Sequence, residues 1–334
     1  MHFTYTRAPT IAEAVRSAAR HTSDQLPGTA DFIAGGTDLV QLLRERVRVP
    51  GTLVDINGID GLRGVSVVGD RLRLGALTTM ADAAADPRVR EHSPAVAEAL
   101  LASASPQVRN QATLGGNLLQ RTRCGYFRDA AVPCNKRAPG SGCPALDGQN
   151  RMHAVLGGSE HCIATYAGDL AIALVALDAE AVVVGQDGAR TVPVAWLHRQ
   201  PGATPHIETR LRDGELLSHI HVPLAAAGRR SRYLKVRDRA AFEWAVASAA
   251  VAIETDDDRV VLDARVAVGG VATTPWRLPS VEVALAGRRL DDGLCRTAAA
   301  SAADGAVTHG RNEYKALLLP RVVARALAQA GGLR

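Results

Sequence analysis

Apolar residues in the first part of the chain recur at helical spacing in two segments and form short strand-like runs in two others. The predicted helices cover 10–20 and 38–47, and the predicted strands cover 32–36 and 52–56. Thr10 suits the N-cap of the first helix, and each strand runs into a turn that contains glycine. The pattern predicts a small α/β unit with a βαβ-like opening, which ends near Gly58.

The pattern changes after Leu62, where two alternating runs flank the dipeptide GD as in a tight hairpin. Further helices are predicted at 80–86 and 93–105, and a buried helix with a second hairpin at 169–194. The last part predicts strands at 232–239 and 261–272 and helices at 280–287, 294–303 and 314–330. We therefore predict an α+β protein with three packed units at 1–58, 59–222 and 223–334.

The composition fits a folded protein of two or three domains, with 334 residues of which 47% are hydrophobic. The formal charge of +5 comes from 39 basic and 34 acidic residues mixed along the chain, so we expect no nucleic-acid partner. No apolar stretch has the length of a transmembrane helix, and the N-terminus lacks the regions of a signal peptide. These features predict a soluble cytoplasmic protein without membrane insertion.

Two glycine loops are candidates for binding phosphate. Residues 34–39 (AGGTDL) lie between a predicted strand and a predicted helix, and residues 110–120 (NQATLGGNLLQ) again place a hydroxyl and an amide beside paired glycines. Backbone N–H groups in such loops can hold an anion. One such loop alone is more simply an ordinary turn, but two loops from different units could hold the diphosphate of a dinucleotide from both sides, with two turn motifs as the alternative.

Three of the five cysteines, Cys124, Cys134 and Cys143, lie in one short stretch, and Cys162 follows. Intervals of nine, eight and eighteen residues contain no C-x-x-C pair, which disfavours a structural zinc site. A 4Fe-4S cluster takes four cysteine ligands, which a long loop can supply. Free buried thiols or two disulfides are the alternatives. The remaining Cys295 is predicted to be a small buried residue of a helix.

The surroundings of these cysteines favour an anionic cluster. Five basic residues supply positive charge: Arg121, Arg123, Arg128, Lys136 and Arg137. The sequence PGSG before Cys143 allows backbone amides to approach sulfur, and both effects would raise a reduction potential. His153 and His161 are interpreted as neighbours of the site, because four thiolates already suffice.

Several sequence blocks resemble the FAD-binding medium subunit of the molybdenum hydroxylases, the family of xanthine dehydrogenase and carbon monoxide dehydrogenase. The blocks are FIAGGTDL, ATLGGN, GELLSHIHVP, RYLKVRDRAAFEWAVASAA and VAVGGVATTPWR, in this order. The insertion 121–165 resembles the branch typified by bacterial periplasmic aldehyde oxidoreductase. The blocks that carry this resemblance are GNLLQRTRCGYF, PCNKRAPGSGC and SEHCIAT. The medium subunit of that branch carries an extra 4Fe-4S cluster, and a similar cluster occurs in 4-hydroxybenzoyl-CoA reductase.

The resemblance implies a PCMH-type FAD-binding fold in the first two units and a C-terminal domain with an antiparallel sheet and helices. The implied FAD contacts are Phe32, Ile33, Ala34, Gly35, Gly36, Thr37, Asp38, Leu39, Thr113, Gly116, Asn117, Asp169, Leu217 and Lys235. The implied 4Fe-4S ligands are Cys124, Cys134, Cys143 and Cys162. Ala167 and Gly168 stand where the family usually has Pro and Ser, so the turn before Asp169 is expected to differ. The strand pattern alone would make Lys235 a solvated lysine.

The resemblance also implies an electron-transfer subunit without catalytic side chains. A large partner subunit would hydroxylate the substrate at a molybdenum cofactor, and a small subunit would deliver electrons from 2Fe-2S centres, in a heterotrimer or its dimer. FAD would pass the electrons to an external acceptor.

The insertion favours an aldehyde oxidoreductase within this family. Alternatives are a subunit of a xanthine dehydrogenase or of an enzyme like 4-hydroxybenzoyl-CoA reductase, a stand-alone flavin oxidase, and a zinc- or disulfide-stabilised binding module. Export to the periplasm with a signal-bearing partner is the alternative to a cytoplasmic location.

Overall fold

The computed structural model describes residues 2–20 and 29–333. The helices of these residues are α1 (Ile11–Arg20), α2 (Leu39–Arg44), α3 (Met80–Ala85), α4 (Pro87–His92), α5 (Pro94–Ala102), α6 (Pro106–Gln111), α7 (Leu114–Leu118), α8 (Gly125–Arg128), α9 (Leu170–Ala176), α10 (Val194–Leu197), α11 (Ala226–Arg229), α12 (Pro279–Leu285), α13 (Asp292–Ala299) and α14 (Glu313–Ala330), with a 3-10 turn at Ala300–Ala303. Within these residues, no helix combines the length and the apolar character needed to span a bilayer.

The first sheet is parallel and has the strand order β1-β3-β2, with β1 (Thr4–Arg7), β2 (Ala30–Ile33) and β3 (Thr52–Asp55). The hydroxyl of Thr10 accepts a hydrogen bond from the Glu13 amide at 3.2 Å, as expected of the N-cap of α1. Because the strands are parallel, their carboxyl ends share one edge of the sheet. The first glycine loop, 34–39, leaves β2 at this edge, where open parallel sheets usually bind ligands.

The second sheet is antiparallel, with the order β4-β5-β8-β6-β7. Its strands are β4 (Val65–Val68), β5 (Arg71–Gly75), β6 (Glu180–Gly185), β7 (Gly188–Pro193) and β8 (Leu216–Pro223). Helices α3, α5 and α9 pack into the same apolar core as β5, β6 and β8. Both predicted hairpins are confirmed, since β4 pairs with β5 and β6 with β7.

The third sheet is also antiparallel, with the order β12-β11-β10-β9. Its strands are β9 (Ser231–Val236), β10 (Ala247–Thr255), β11 (Val261–Gly269) and β12 (Trp276–Arg277). Helices α12, α13 and α14 share its apolar core, and Cys295 in α13 is buried there as predicted. The sheets confirm the α+β class, whereas the boundaries at 58 and 222 stay predictions.

The alanine-rich strand β10 is absent from the sequence prediction. Its residues from Ala247 to Ile253 are all buried, because both α9 and α14 contact the strand. A strand buried on both faces shows no alternation of polar and apolar residues, and alanine is a weak strand former. Neither the alternation of polar and apolar residues nor strand propensity could therefore identify β10.

The insertion at 121–165, called the cysteine segment below, contains little regular structure beyond α8. Side chains hold it in place. Asn150 donates its amide to the carbonyls of Ala145 and His309, at 3.1 and 2.7 Å, and the Lys315 ammonium donates to the Met152 carbonyl at 3.0 Å. The cysteine segment is thereby attached to the third unit.

Candidate cofactor-binding site

The two glycine loops touch each other. A Cβ atom on Gly35 would lie 2.0 Å from the Gln111 carbonyl oxygen, so only glycine permits this approach. Gly36 has a φ of +70°, which favours glycine at that position too. The amides of Gly35, Gly36 and Thr37 donate no backbone hydrogen bond within the part of the chain that the structure describes. These N–H groups are available to an anionic ligand.

The second glycine loop, 110–120, is held by the turn after β5 through its residues 113–117. The Gly115 amide donates to the Ala76 carbonyl at 2.8 Å, and the Leu114 amide donates to the Thr78 carbonyl at 2.9 Å. Thr113 caps the short helix α7, its hydroxyl accepting from the Gly116 amide at 3.2 Å. Gly115 packs so closely on Ala76 and Leu217 that an added Cβ would meet each at 3.1 Å. The loop is therefore fixed against the second sheet.

Both loops line one cleft of about 560 Å³, which falls within the usual range for small-molecule sites. Most of the remaining lining comes from 206–217, which leads into β8 and is called the return segment below. The residues predicted to contact FAD that line this cleft are Phe32, Ala34, Gly35, Gly36, Thr37, Asp38, Leu39, Thr113, Gly116 and Leu217. Ile33 does not line it and lies in β2 beside β3.

A second cavity of about 340 Å³ shares Thr37, Asp38 and Gly116 with the cleft. Asn117 and Asp169 lie in its wall, together with Trp244. The Asn117 side-chain oxygen is buried and finds no hydrogen-bond partner among the described residues. Both glycine loops therefore line the second cavity as well as the cleft.

Asp169 is buried in a network of polar side chains. Its carboxylate accepts hydrogen bonds from the Ser103 hydroxyl at 2.7 Å, the Tyr233 hydroxyl at 2.5 Å and the Lys235 ammonium at 2.7 Å. The side chains of Asp169 and Lys235 are only 4% and 3% exposed. Lys235 is therefore a buried partner of Asp169, contrary to the strand pattern, and it does not line the cleft or the second cavity.

We expect the variant Lys235→Met to lower the free energy of unfolding by about 3–5 kcal/mol, because it leaves the Asp169 carboxylate buried without its counter-ion. Urea denaturation measures this change. The double variant Asp169→Asn/Lys235→Met removes both charges and should recover part of the loss. A single variant as stable as the native chain would contradict the buried pair.

Asp38 of the first glycine loop connects this loop to the cysteine segment. Its carboxylate accepts hydrogen bonds from the Arg121 amide and the Arg128 guanidinium, both at 2.8 Å, and from Arg123. Burial by itself would raise the pKa of the Asp38 carboxyl, but Arg123, Arg121 and Arg128 outweigh burial and hold that pKa below its usual value. Asp38 is therefore ionised at neutral pH.

The four cysteines of the cysteine segment line one small pocket: Cys124, Cys134, Cys143 and Cys162. All four are free thiols, so the disulfide alternative is not formed in this structure. The Ala164 amide donates a hydrogen bond to the Cys162 sulfur at 3.5 Å. The backbone N–H groups of Tyr126 and Phe127 near Cys124, and of Ala145, Leu146 and Ile163 near Cys143, act to lower the pKa of those thiols. Such amides stabilise sulfur that carries negative charge.

Burial raises the pKa of the Cys124 thiol to about 12, and it also raises the pKa of Cys143 and of Cys162. These thiols are protonated until a metal displaces the protons. His153 lies beside them, with its Nε2 3.2 Å from the Cys124 sulfur, and burial lowers the pKa of this histidine to about 4. The role of His153 as a neighbour rather than a ligand stays a prediction.

In residues 2–20 and 29–333, no group of three or more His, Cys, Asp or Glu side chains is arranged to hold a single metal ion. This is compatible with four thiols around one pocket. In a cubane cluster each iron takes one cysteine, so the sulfurs surround the cluster instead of converging on a point.

The basic residues of the cysteine segment have partners of their own, which the sequence did not predict. Arg121 and Lys136 form ion pairs with Glu208 of the return segment, and Arg128 pairs with Glu45 at 3.1 Å as well as with Asp38. Arg137 donates to the backbone carbonyls of Tyr126, Phe127 and Val132. Much of the positive charge is therefore compensated by the walls of the cleft.

Sequence reasoning missed Glu208, Tyr233, Ser103 and Trp244. The position of Tyr233 on the same strand face as Lys235 could have been predicted, because residues two apart on a strand share a face and Lys235 lies two positions further on. The others carry no local signal and reach the site through the tertiary fold.

Two family models match the chain. The model described as FAD binding domain in molybdopterin dehydrogenase matches residues 1–225, and the model of the CO dehydrogenase flavoprotein C-terminal domain matches residues 232–330.

Individual relatives match over almost their whole length. The FAD-binding subunit of aldehyde oxidoreductase from Escherichia coli K12 is 45% identical over 332 residues, which cover 98% of each chain. The carbon monoxide dehydrogenase medium chain of Hydrogenophaga pseudoflava is 28% identical over 336 residues, 98% of this chain and 96% of that one. A solved structure of carbon monoxide dehydrogenase from the same organism superposes with a TM-score of 0.75 at 27% identity, covering 99% of this chain and 97% of that chain.

Proposed function

The chain belongs to the family of FAD-binding medium subunits of molybdenum hydroxylases, and we propose that it is the subunit of an aldehyde oxidoreductase that holds both FAD and a 4Fe-4S cluster. The proposal depends above all on the arrangement of four free cysteines around one pocket, in a segment joined by ion pairs to the walls of the cleft. The identity of 45% to an aldehyde oxidoreductase subunit supports the substrate class.

The cleft and the second cavity have the features that FAD requires. The free amides of Gly35, Gly36 and Thr37 suit the diphosphate, and Gly35 and Gly116 leave room for it beside the backbone. The unpaired oxygen of Asn117 offers an acceptor to the cofactor. We assign the flavin end to the second cavity, whose wall includes Asp169. There Lys235 acts through Asp169, whose carboxylate it holds in place.

The cysteine pocket has the features that a 4Fe-4S cluster requires. Cys124, Cys134, Cys143 and Cys162 supply four ligands, and the Ala164 amide supplies a hydrogen bond to sulfur. Bound FAD accepts or gives one or two electrons, whereas such a cluster exchanges single electrons. The chain thus has the means to connect one-electron centres of a partner subunit with an external acceptor.

We further propose that a large molybdopterin-binding subunit and a small 2Fe-2S subunit are its partners. The relatives named as medium subunits or FAD-binding subunits of larger enzymes support this assembly. A location in the cytoplasm, or in the periplasm by export with a partner, stays a prediction.

The experiment is anaerobic titration of the co-purified complex with an aromatic or aliphatic aldehyde, followed by absorption. We expect the flavin absorption and the broad iron–sulfur absorption of the complex to bleach as aldehyde is added, and xanthine to leave them unchanged. Bleaching by xanthine alone would favour the xanthine dehydrogenase alternative, and zinc in place of flavin and iron would refute the proposal.

A further inference from the structure

The cysteine segment holds two walls of the cleft at once. Arg123 and Arg128 bind Asp38 in the first glycine loop, and Arg128 also binds Glu45 behind that loop. Arg121 and Lys136 bind Glu208 in the return segment. The four cations of the segment therefore form ion pairs with Asp38 and Glu208, which are far apart in the sequence and meet at the cleft.

These contacts are well buried. The side chains of Arg123 and Arg128 are 19% and 12% exposed, and that of Asp38 is 15% exposed. Ion pairs in such surroundings are screened less than pairs on the surface. Further contacts add rigidity, since Lys136 also donates to the Pro205 carbonyl at 3.1 Å and Arg123 stacks on the Trp244 ring at 4.7 Å.

The cations are placed next to the cysteines in the chain. Arg123 precedes Cys124, and Lys136 follows Cys134 by two residues. With little helix or strand of its own, the segment is held by side-chain contacts, and bonds from its cysteines to a common cluster would add a further constraint on where these cations lie. Joining the four thiols would thereby restrict the positions of Asp38 and Glu208 as well.

We propose that Asp38 and Glu208 are positioning residues through which an occupied cysteine pocket organises the cleft, so that cluster and FAD bind cooperatively. This inference depends on the proposed function, because it requires that the chain binds both groups. Linkage makes the effect reciprocal: a cluster that strengthens FAD binding is itself retained more strongly when FAD is bound.

The test is a cycle on the full chain that measures the Kd of FAD by flavin fluorescence, with and without the cluster. The cluster is removed by anaerobic chelation after mild oxidation, and separately by Cys134→Ser. In the native chain we expect cluster removal to weaken FAD binding about 5- to 150-fold, the usual size of coupling between sites. In Asp38→Asn/Glu208→Gln we expect a Kd that is already raised and that changes by less than about twofold on cluster removal.

The control variant is Asp238→Asn. It breaks the ion pair between Asp238 and Arg151 of the same segment, whose charged groups are 2.8 Å apart, and Asp238 lies outside the cleft. It should keep the full effect of cluster removal on the Kd. A second readout needs no variant: at equilibrium with a chelator, FAD should raise the share of iron that the chain retains, by a factor comparable to the change in Kd.

The outcomes separate this inference from the function on which it depends. An equal effect of cluster removal in the native chain and in Asp38→Asn/Glu208→Gln, or no effect in either, would overturn the coupling while leaving the function intact. A native chain that bound no FAD or no iron would instead refute the proposed function.

Discussion

Replacing Gly35 by alanine should abolish tight FAD binding. The new Cβ would lie 2.0 Å from the Gln111 carbonyl oxygen, and this backbone cannot yield without separating the two glycine loops. Overpacking costs about 1–3 kcal/mol, and a clash with backbone at this distance belongs at the upper end of that range. If the loss falls on the bound state, the Kd of FAD rises about 100-fold. Flavin content after purification and a fluorescence titration measure the change.

Gly125→Ala is the matched control for this variant. Gly125 begins the short helix α8, and an added Cβ there meets no atom within 4 Å. Its flavin content should equal that of the native chain. Native FAD affinity in both Gly35→Ala and Gly125→Ala would show that the contact between the loops has no part in FAD binding.

Replacing Cys134 by serine should remove most of the iron and acid-labile sulfide, because a cubane cluster held by three thiolates and a weak hydroxyl ligand is readily lost. FAD should remain bound when it is present in excess. Iron analysis and the visible absorption of anaerobically purified protein measure the result.

Cys295→Ser is the control for cluster loss, since Cys295 is buried in α13 within the core of the third sheet. The iron content of this variant should match that of the native chain. Native iron in Cys134→Ser, or loss of iron only in Cys295→Ser, would show that the ligands are assigned incorrectly.

Local signals in the sequence predicted much of the fold. The hairpins at Gly69 and at 186–187 follow from alternating runs around tight turns, and α1 follows from its apolar spacing and its cap at Thr10. The glycine loops could be found because close backbone approach leaves glycine as the residue of choice. Strand β10 could not be found, since its burial on both faces removes the alternation on which strand prediction depends.

The candidate site was predictable only in part. Loop residues and cysteines carry their chemistry in their type and spacing, and the structure brings Gly35, Gly116 and Leu217 to one cleft. The buried state of Lys235 depends on Asp169, which lies 66 residues away in the chain. The partners of Arg121 and Lys136 likewise come from the return segment. Ion pairs between distant segments leave no mark on the local pattern of either one.

The content of FAD, iron and acid-labile sulfide in the chain purified without air tests the account most directly. We expect about one FAD and about four iron and four sulfide per chain, as one flavin site and one cubane cluster require. A chain that contains FAD but neither iron nor sulfide would contradict the assignment of the cysteine pocket. A chain without any of the three would contradict the account as a whole.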